Sequence, residues 1–364
     1  IGDRVLVGTK IAESDAFVSS PIHSSISGIV KTFKKTFTPT GITCDSIVIE
    51  NDGEMEESPE MVPNENYFDF SKEEILKKIK EAGIVGLGGA GFPTHIKLNP
   101  PPDKKIDTII VNASECEPYL TTDHRVMLEV PETLVRGLQL VLKIFPDAKG
   151  LIAIETNKLD AIEIMQGLTN DIPNIEIVPL KPKYPQGSEK QLIYACTERE
   201  VPSGGLPADV GVIVNNVDTI VAIDRIMVRN RPLMRRIVTV TGDACNNPGN
   251  YKVRIGMTYE NFLDAIGGFR KESYKIISGG PMMGVALFSL DIPIIKTSSA
   301  ILCFTEEEAK LPPEKNCIRC SKCLEHCPMG LMPLELNKNV IYKEFDIFEK
   351  NNGLDCIECG SCSY

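Results

Sequence analysis

Seven cysteines near the carboxyl end carry the clearest chemistry in the chain. Cys317, Cys320, Cys323 and Cys327 stand in C-I-R-C-S-K-C-L-E-H-C-P, and Cys356, Cys359 and Cys362 begin a second copy, C-I-E-C-G-S-C. This is the C-x2-C-x2-C-x3-C-P spacing of cubane 4Fe-4S clusters, in which three close thiolates hold three corners and the fourth crosses to the other cluster. Structural zinc takes two pairs with a longer loop between them. Disulfides suit cysteines three apart poorly, and no signal peptide is visible. Cross-ligation makes Cys327, Cys356, Cys359 and Cys362 a complete set and leaves Cys317, Cys320 and Cys323 without a fourth ligand, because the eighth cysteine would fall two residues past position 364. With Ile1 where a methionine would start, the chain reads as a fragment truncated at both ends, with one labile cluster. Electron transfer is the first hypothesis, with the upstream elements feeding the clusters.

A second group of residues belongs to a ligand crevice. Gly86-Leu87-Gly88-Gly89-Ala90-Gly91 matches G-x-G-x-x-G. A dinucleotide fingerprint must follow a strand and open a helix, whereas here a helix precedes and Phe92-Pro93 follows. What remains is either a tight turn or a loop whose amides approach a phosphate or flat ring closely. Three strand-like runs end in polar residues: Asn112 to Pro118, then Tyr184 to Glu189, then Asn215-Asn216. Ligands of parallel sheets bind at such carboxyl ends. Side-chain amides there suit the polar edge of an isoalloxazine, and carboxylates suit a nicotinamide nucleotide. Ser188 and Asn216 are also good helix N-cap types.

The elements that position these groups follow from pattern. The chain has 364 residues, 42% hydrophobic and 24% charged, enough for two to four domains. Twelve cysteines without a signal sequence indicate a reducing compartment, and a net charge of −11 disfavours nucleic acid as a partner. No apolar run reaches transmembrane length. Residues 1–50 are β-rich, with short strands expected at 5–7, 17–19, 27–30 and 46–49 in a first domain over 1–60, and an acidic linker at 52–66. Ser71 opens a helix with Glu73 and Glu74 in its first turn, ending near Gly83. In 67–234, strands at 108–112, 151–155, 175–180 and 210–215 alternate with helices at 131–145, 158–168, 188–196 and 219–228, which implies a parallel sheet. Residues 235–285 read as a β-grasp module, 286–315 as a connector and 316–364 as the tandem ferredoxin-type region. The fold expected is therefore multidomain α/β. Cys196 and Cys303 lie in apolar runs and read as core. Asp123-His124-Arg125 is assigned no catalytic role, and no other residue is read as catalytic.

Several segments resemble known families. "GDRVLVGTKIAESDAFVSSPIHSSISGIV" resembles the lipoyl/biotinyl barrel-sandwich family. No flanked lysine marks lipoylation, and His23 reads as a surface or packing residue. "GLGGAGFPTHIK", "NASECEP" and "NNVDT" are similar to the flavin-binding subunit of respiratory complex I. That resemblance implies FMN contacts from Gly86, Gly88, Gly89, Lys97, Asn112, Glu115, Asn215 and Asn216. It places Glu117, Tyr184 and Glu189 toward flavin or NADH. Leu87, Ser114 and Cys116 depart from the pattern, standing where that family has arginine, aspartate and serine.

Over the whole chain, "ECEPYLTTDHR", "YPQGSEKQL", "REVPSGGLP", "GGPMMG" and "CPMGLMP" look like the RnfC family of the Rnf electron-transport complex. The resemblance implies a peripheral subunit at the cytoplasmic face of a bacterial membrane, partnered by the other Rnf subunits and indirectly by ferredoxin. It implies electron exchange between NAD(H), FMN and two 4Fe-4S clusters, coupled to ion translocation. Two other readings stay open. One is a soluble flavin/iron–sulfur reductase feeding cobalamin or proline reductase. The other, supported by Leu87, Ser114 and Cys116, is a non-catalytic cluster-bearing adaptor.

Overall fold

The computed structural model describes residues 1–363. It begins with strands β1 (Arg4–Val5), β2 (Lys10–Ala12), β3 (Ile22–His23), β4 (Gly28–Phe37) and β5 (Thr43–Asn51). β1, β4 and β5 form one antiparallel sheet, and β2 pairs β3 in a second. The strand expected at 17–19 does not form. Pairing of β2 with β3 leaves the intervening segment without a strand partner, and the Ser19 hydroxyl donates to the carbonyls of Ser14 and Ala16 instead. The acidic stretch after β5 is docked on the body of the protein. Glu57 bridges to Val7 and pairs with Arg231, while Met61 packs with Val7 and Met234.

His23 is 8% exposed and packs where this unit meets the rest of the chain, so it is a packing residue rather than a surface one. Its Nδ1 has no hydrogen-bond partner among the described residues. Burial, reinforced by Lys296 and Lys10, pulls its pKa from 6.5 down to about 4. The unfolded chain therefore binds a proton between these values that the folded chain refuses. This contribution is present above pH 6.5 and lost as the pH falls toward about 4. The loss is on the order of 3 kcal/mol. Urea unfolding at about pH 7 and about pH 4.5 should show a smaller acid loss for His23→Gln than for the parent; equal losses would remove His23 from the account.

The middle of the chain contains, in order, α1 (Lys72–Glu81), α2 (Thr94–Lys97), β6 (Thr108–Ala113), α3 (Thr122–Glu129), α4 (Pro131–Leu142), β7 (Lys149–Glu155), α5 (Leu159–Thr169), β8 (Ile175–Leu180), α6 (Glu189–Thr197), β9 (Val212–Asn216) and α7 (Val217–Arg229). α1 starts as the sequence indicates: the Ser71 hydroxyl accepts from the Glu74 amide and the Glu74 carboxylate from the Ser71 amide. The four strands are parallel, in the order β8-β7-β6-β9. Both faces are covered, which explains the unbroken apolar runs. Ile109, Val111, Ile152 and Ile154 face α4 and α7; Ile110, Leu151 and Val214 face Leu192 and Ile193 of α6.

The β-grasp unit holds β10 (Arg235–Thr241), β11 (Gly249–Arg254), α8 (Tyr259–Ala265), β12 (Lys275–Ser278), β13 (Val285–Ala286) and β14 (Ala300–Phe304), ordered β11-β10-β14-β12-β13. β14 comes from the segment read as a connector, yet it is the central strand, entirely buried and parallel to β10. Cys303 is core there, as expected. The short helix α9 (Glu306–Ala309) packs on β14 through Ala309, and α10 (Lys322–Glu325), α11 (Pro333–Ile341) and α12 (Phe345–Lys350) make up the cluster region. Among the described residues, no helix is long and apolar enough to cross a membrane.

Candidate functional site

The strand order fixes where a ligand would sit. From β6 the chain runs outward to β7 and β8, then returns to place β9 on the other side of β6. The carboxyl ends of β6 and β9 are thus a topological switch point, the usual binding crevice of an open α/β sheet. Asn112 on β6 lies in register with Asn216 on β9, and Asn215 with Val111.

The glycine loop lies against this edge, folded back so that the Gly86 amide donates to the Phe92 carbonyl at 2.9 Å. A Cβ on Gly88 would lie 2.8 Å from that of Asn216, so this glycine is needed for close packing. Gly89 has nothing within 4 Å of the position its Cβ would take. Asn216 caps α7 by accepting from the Asp218 amide at 2.9 Å, and its Nδ2 donates to Asp123 at 2.7 Å. Asp123 is pushed well above the carboxylate range by burial, with Glu115 and Asp218 adding repulsion.

On the β8 side, Asn112 Nδ2 donates to the Gly187 carbonyl at 2.8 Å. Lys97, ending α2, donates to Glu189 in the first turn of α6 at 2.6 Å. Ser188 precedes α6 but makes no side-chain cap. Glu115 accepts from the Thr122 hydroxyl and the Asp123 and His124 amides at the start of α3. Glu117 accepts from the Met282 and Met283 amides at 3.2 and 2.9 Å; burial raises its pKa against those two bonds. Beyond the carboxyl ends of β6, β7 and β8 lies a crevice of about 480 Å³, lined by Glu115, Cys116, Glu117, Glu155, Lys158 and Tyr184 among others; the glycine loop, Lys97, Asn112, Glu189, Asn215 and Asn216 do not line it. Burial pushes the Cys116 thiol up to about 11, so it sits there as a neutral group.

The cluster region abuts this crevice. The Tyr184 hydroxyl donates to the Cys359 carbonyl at 2.5 Å, and burial raises its pKa. Gln191 Nε2 donates to the carbonyl of Pro328, the proline of the first motif, at 3.0 Å, and Ser203 donates to Asp355 at 2.8 Å. Gly360 fits under Met282, whose carbonyl would be 2.8 Å from an added Cβ. The Cys362 thiol is pushed up by burial and then by nearby Cys356, Cys359 and Cys327. These are the four residues that cross-ligation groups together. Cys317 and Cys320 are exposed and Cys323 half-buried. Among the described residues, no three His, Cys, Asp or Glu side chains converge at metal-binding distances, so the four thiols share a neighbourhood rather than a coordination sphere.

The residues present fit both cofactor types. For FMN, Asn215 Nδ2 is a buried donor and Gln186 Oε1 a buried acceptor, each without a partner among the described residues, and Gly89 leaves room for close approach. For a cubane, four neighbouring thiols are the soft donor set required. Of the expected residues, Glu115, Glu117 and Tyr184 line the crevice, while Gly88, Asn112, Asn215 and Asn216 gather at the β6/β9 edge and Lys97 pairs with Glu189 at the start of α6. Sequence reasoning missed Gln186 and Arg236. The signal for Gln186 was an amide between Pro185 and Gly187 just past a strand end; Arg236 had none.

Comparison with known proteins agrees with this architecture. The family model for the Nuo51 FMN-binding domain matches residues 79–225, the RnfC barrel sandwich hybrid domain 1–54, the SLBB domain 237–286 and the 4Fe-4S dicluster domain 311–364. The chain is 47% identical over 354 residues to the C subunit of the Na+-translocating ferredoxin:NAD+ oxidoreductase complex of Acetobacterium woodii, covering 97% of this chain and 80% of that protein. It is 49% identical over 336 residues to the C subunit of the proton-translocating ferredoxin:NAD+ oxidoreductase complex of Clostridium ljungdahlii, covering 92% and 73%. It is 37% identical over 342 residues to the C subunit of the ion-translocating oxidoreductase complex of Salmonella choleraesuis, covering 92% and 48%. Among solved structures, an NAD+-reducing [NiFe]-hydrogenase in the H2-reduced state shares the fold over 68% of this chain and 50% of its own, with TM-score 0.56 and 22% identity.

Proposed function

The chain belongs to the RnfC family, and from that premise we propose that it passes electrons between NAD(H), FMN and two 4Fe-4S clusters, as a peripheral subunit of an ion-translocating ferredoxin:NAD oxidoreductase. The observation that carries this reading is the seating of a cluster motif on the crevice at the carboxyl ends of the parallel strands, through Tyr184, which lines it, and Cys359. A flavin supplies the two-electron to one-electron conversion that NADH and cubanes need.

The chain's own residues would do the rest. The loop at Gly89 and the amides of Asn112 and Asn215 would hold the flavin's polar edge. Lys97 would exchange its pairing with Glu189 for the flavin's phosphate or ring oxygens. Glu117, fixed by the Met282 and Met283 amides, would orient the nicotinamide. Cys327, Cys356, Cys359 and Cys362 would hold the cluster nearest the crevice; Cys317, Cys320 and Cys323 would contribute to the other. Membrane association would come through the other Rnf subunits at the cytoplasmic face, with ferredoxin reached indirectly through them.

Flavin-fluorescence titration of anaerobically loaded protein tests this, followed by NADH addition. The expected result is micromolar FMN affinity and NADH-dependent bleaching of the cluster absorbance. Clusters without FMN binding would leave the chain a non-catalytic adaptor.

A further inference from the structure

We propose that Arg236, on β10 of the β-grasp unit, is a positioning residue that braces the glycine loop of the neighbouring α/β domain. The flavin reading above supplies what the loop binds; the brace itself is a matter of protein geometry. Arg236 is 4% exposed. Its Nε donates to the Ser298 carbonyl at 3.1 Å, its Nη2 to the Leu87 carbonyl at 3.0 Å and its Nη1 to the Asp218 carboxylate. The three acceptors lie on three separate segments: the approach to β14, the glycine loop and the first turn of α7. The Leu87 amide in turn donates to Thr219 Oγ1 at 3.0 Å. Both backbone polar atoms of the residue between Gly86 and Gly88 are therefore fixed.

A glycine-rich loop has much conformational freedom to lose, and left alone would hold no single orientation of its amides. The guanidinium fork removes that freedom by addressing two carbonyls and a carboxylate at once, which a lysine's point charge reproduces poorly. The charge stays buried because Asp218 neutralises it. The same part of the β-grasp unit touches the loop again, since a Cβ on Gly91 would lie 2.7 Å from Thr297. Asp218 also sits beside the cap made by Asn216, against which Gly88 packs. One side chain thus ties the β-grasp unit, the loop and the start of α7 into a single edge of the switch point between β6 and β9. In this chain the β-grasp unit acts as a buttress for its neighbour's binding loop.

The test is amide hydrogen exchange of the ligand-free full chain, read over 86–92 and over β10 and β14, with FMN titration alongside. Arg236→Lys keeps the ion pair with Asp218 and loses the fork. Exchange over 86–92 should quicken roughly tenfold to a hundredfold, with β10 and β14 still protected and FMN affinity reduced by a similar factor. If Arg236→Lys does not fold, the paired change Arg236→Met with Asp218→Leu removes the buried charges together, a replacement that cores often tolerate. It should loosen the same segment alone. Unchanged exchange over 86–92, or an increase spread evenly over β10 and β14, overturns the proposal. Failure of the parent protein to bind FMN would remove the flavin reading, while loop exchange would still decide the brace.

Discussion

Loaded anaerobically with iron and sulfide, the chain will hold a chelator-resistant cubane of about four iron atoms on Cys327, Cys356, Cys359 and Cys362, and Cys359→Ala will abolish it. Cys359 is the one buried member of the seven motif cysteines, and its carbonyl is anchored by Tyr184. Cys362 has Cys356, Cys359 and Cys327 near enough for their charges to act on its thiol. Cys320→Ala should leave the resistant iron in place, because Cys320 is exposed, as Cys317 is, and cross-ligation puts it on the other cluster. Cys327→Ser should behave like Cys359→Ala although it lies in the other motif, since the residue before the proline crosses between clusters. Iron and acid-labile sulfide counts after chelator treatment separate the two classes. Equal losses from Cys320→Ala and Cys359→Ala would sink the cross-ligation assignment, and zinc in place of iron would sink the cluster assignment altogether.

Much of this was legible because the information is local. The cysteine spacing of a cluster motif is local, and the 4Fe-4S dicluster family model matches residues 311–364. The Ser71–Glu74 capping box closes within one turn, and apolar runs reveal strands buried on both faces. What was illegible joins distant parts of the chain. Arg236 reaches Leu87 across 149 positions, Glu117 reaches Met283 across 166 and Tyr184 reaches Cys359 across 175. No periodicity encodes such pairs. β14 was hidden for a related reason: its five buried residues look the same whether they form a central strand or an apolar connector, and only pairing with β10 and β12 decides. Glu115 shows how far a polar residue's type determines its role. Its position at a strand end marked it for the crevice, yet its oxygens also accept from the first turn of α3, a task only three-dimensional proximity reveals.

Gly89→Leu will abolish detectable FMN binding while leaving the protein's melting temperature unchanged. The two halves of this expectation rest on one geometric contrast. At Gly88 an added Cβ meets Asn216 at 2.8 Å, so Gly88→Ala must shift the residue that caps α7. Loss of such a cap costs about 1 kcal/mol, and stability and ligand binding should fall together. At Gly89 the same atom meets nothing within 4 Å, and the backbone there is not in the left-handed region. A leucine side chain therefore has room and no backbone strain, but the room it takes is the space proposed for the flavin. A flat ring cannot share that space with four extra carbons, and a displacement of even about 1 Å from the loop amides forfeits their hydrogen bonds. Cluster content, read as iron, should match the parent, because the motif cysteines are seated on α6 and the Met282 turn rather than on the glycine loop. Fluorescence titration, calorimetry and iron analysis of the same preparation give the three readings. Parental FMN affinity in Gly89→Leu would place the flavin elsewhere, and a lowered melting temperature would show that Gly89, like Gly88, is held for packing.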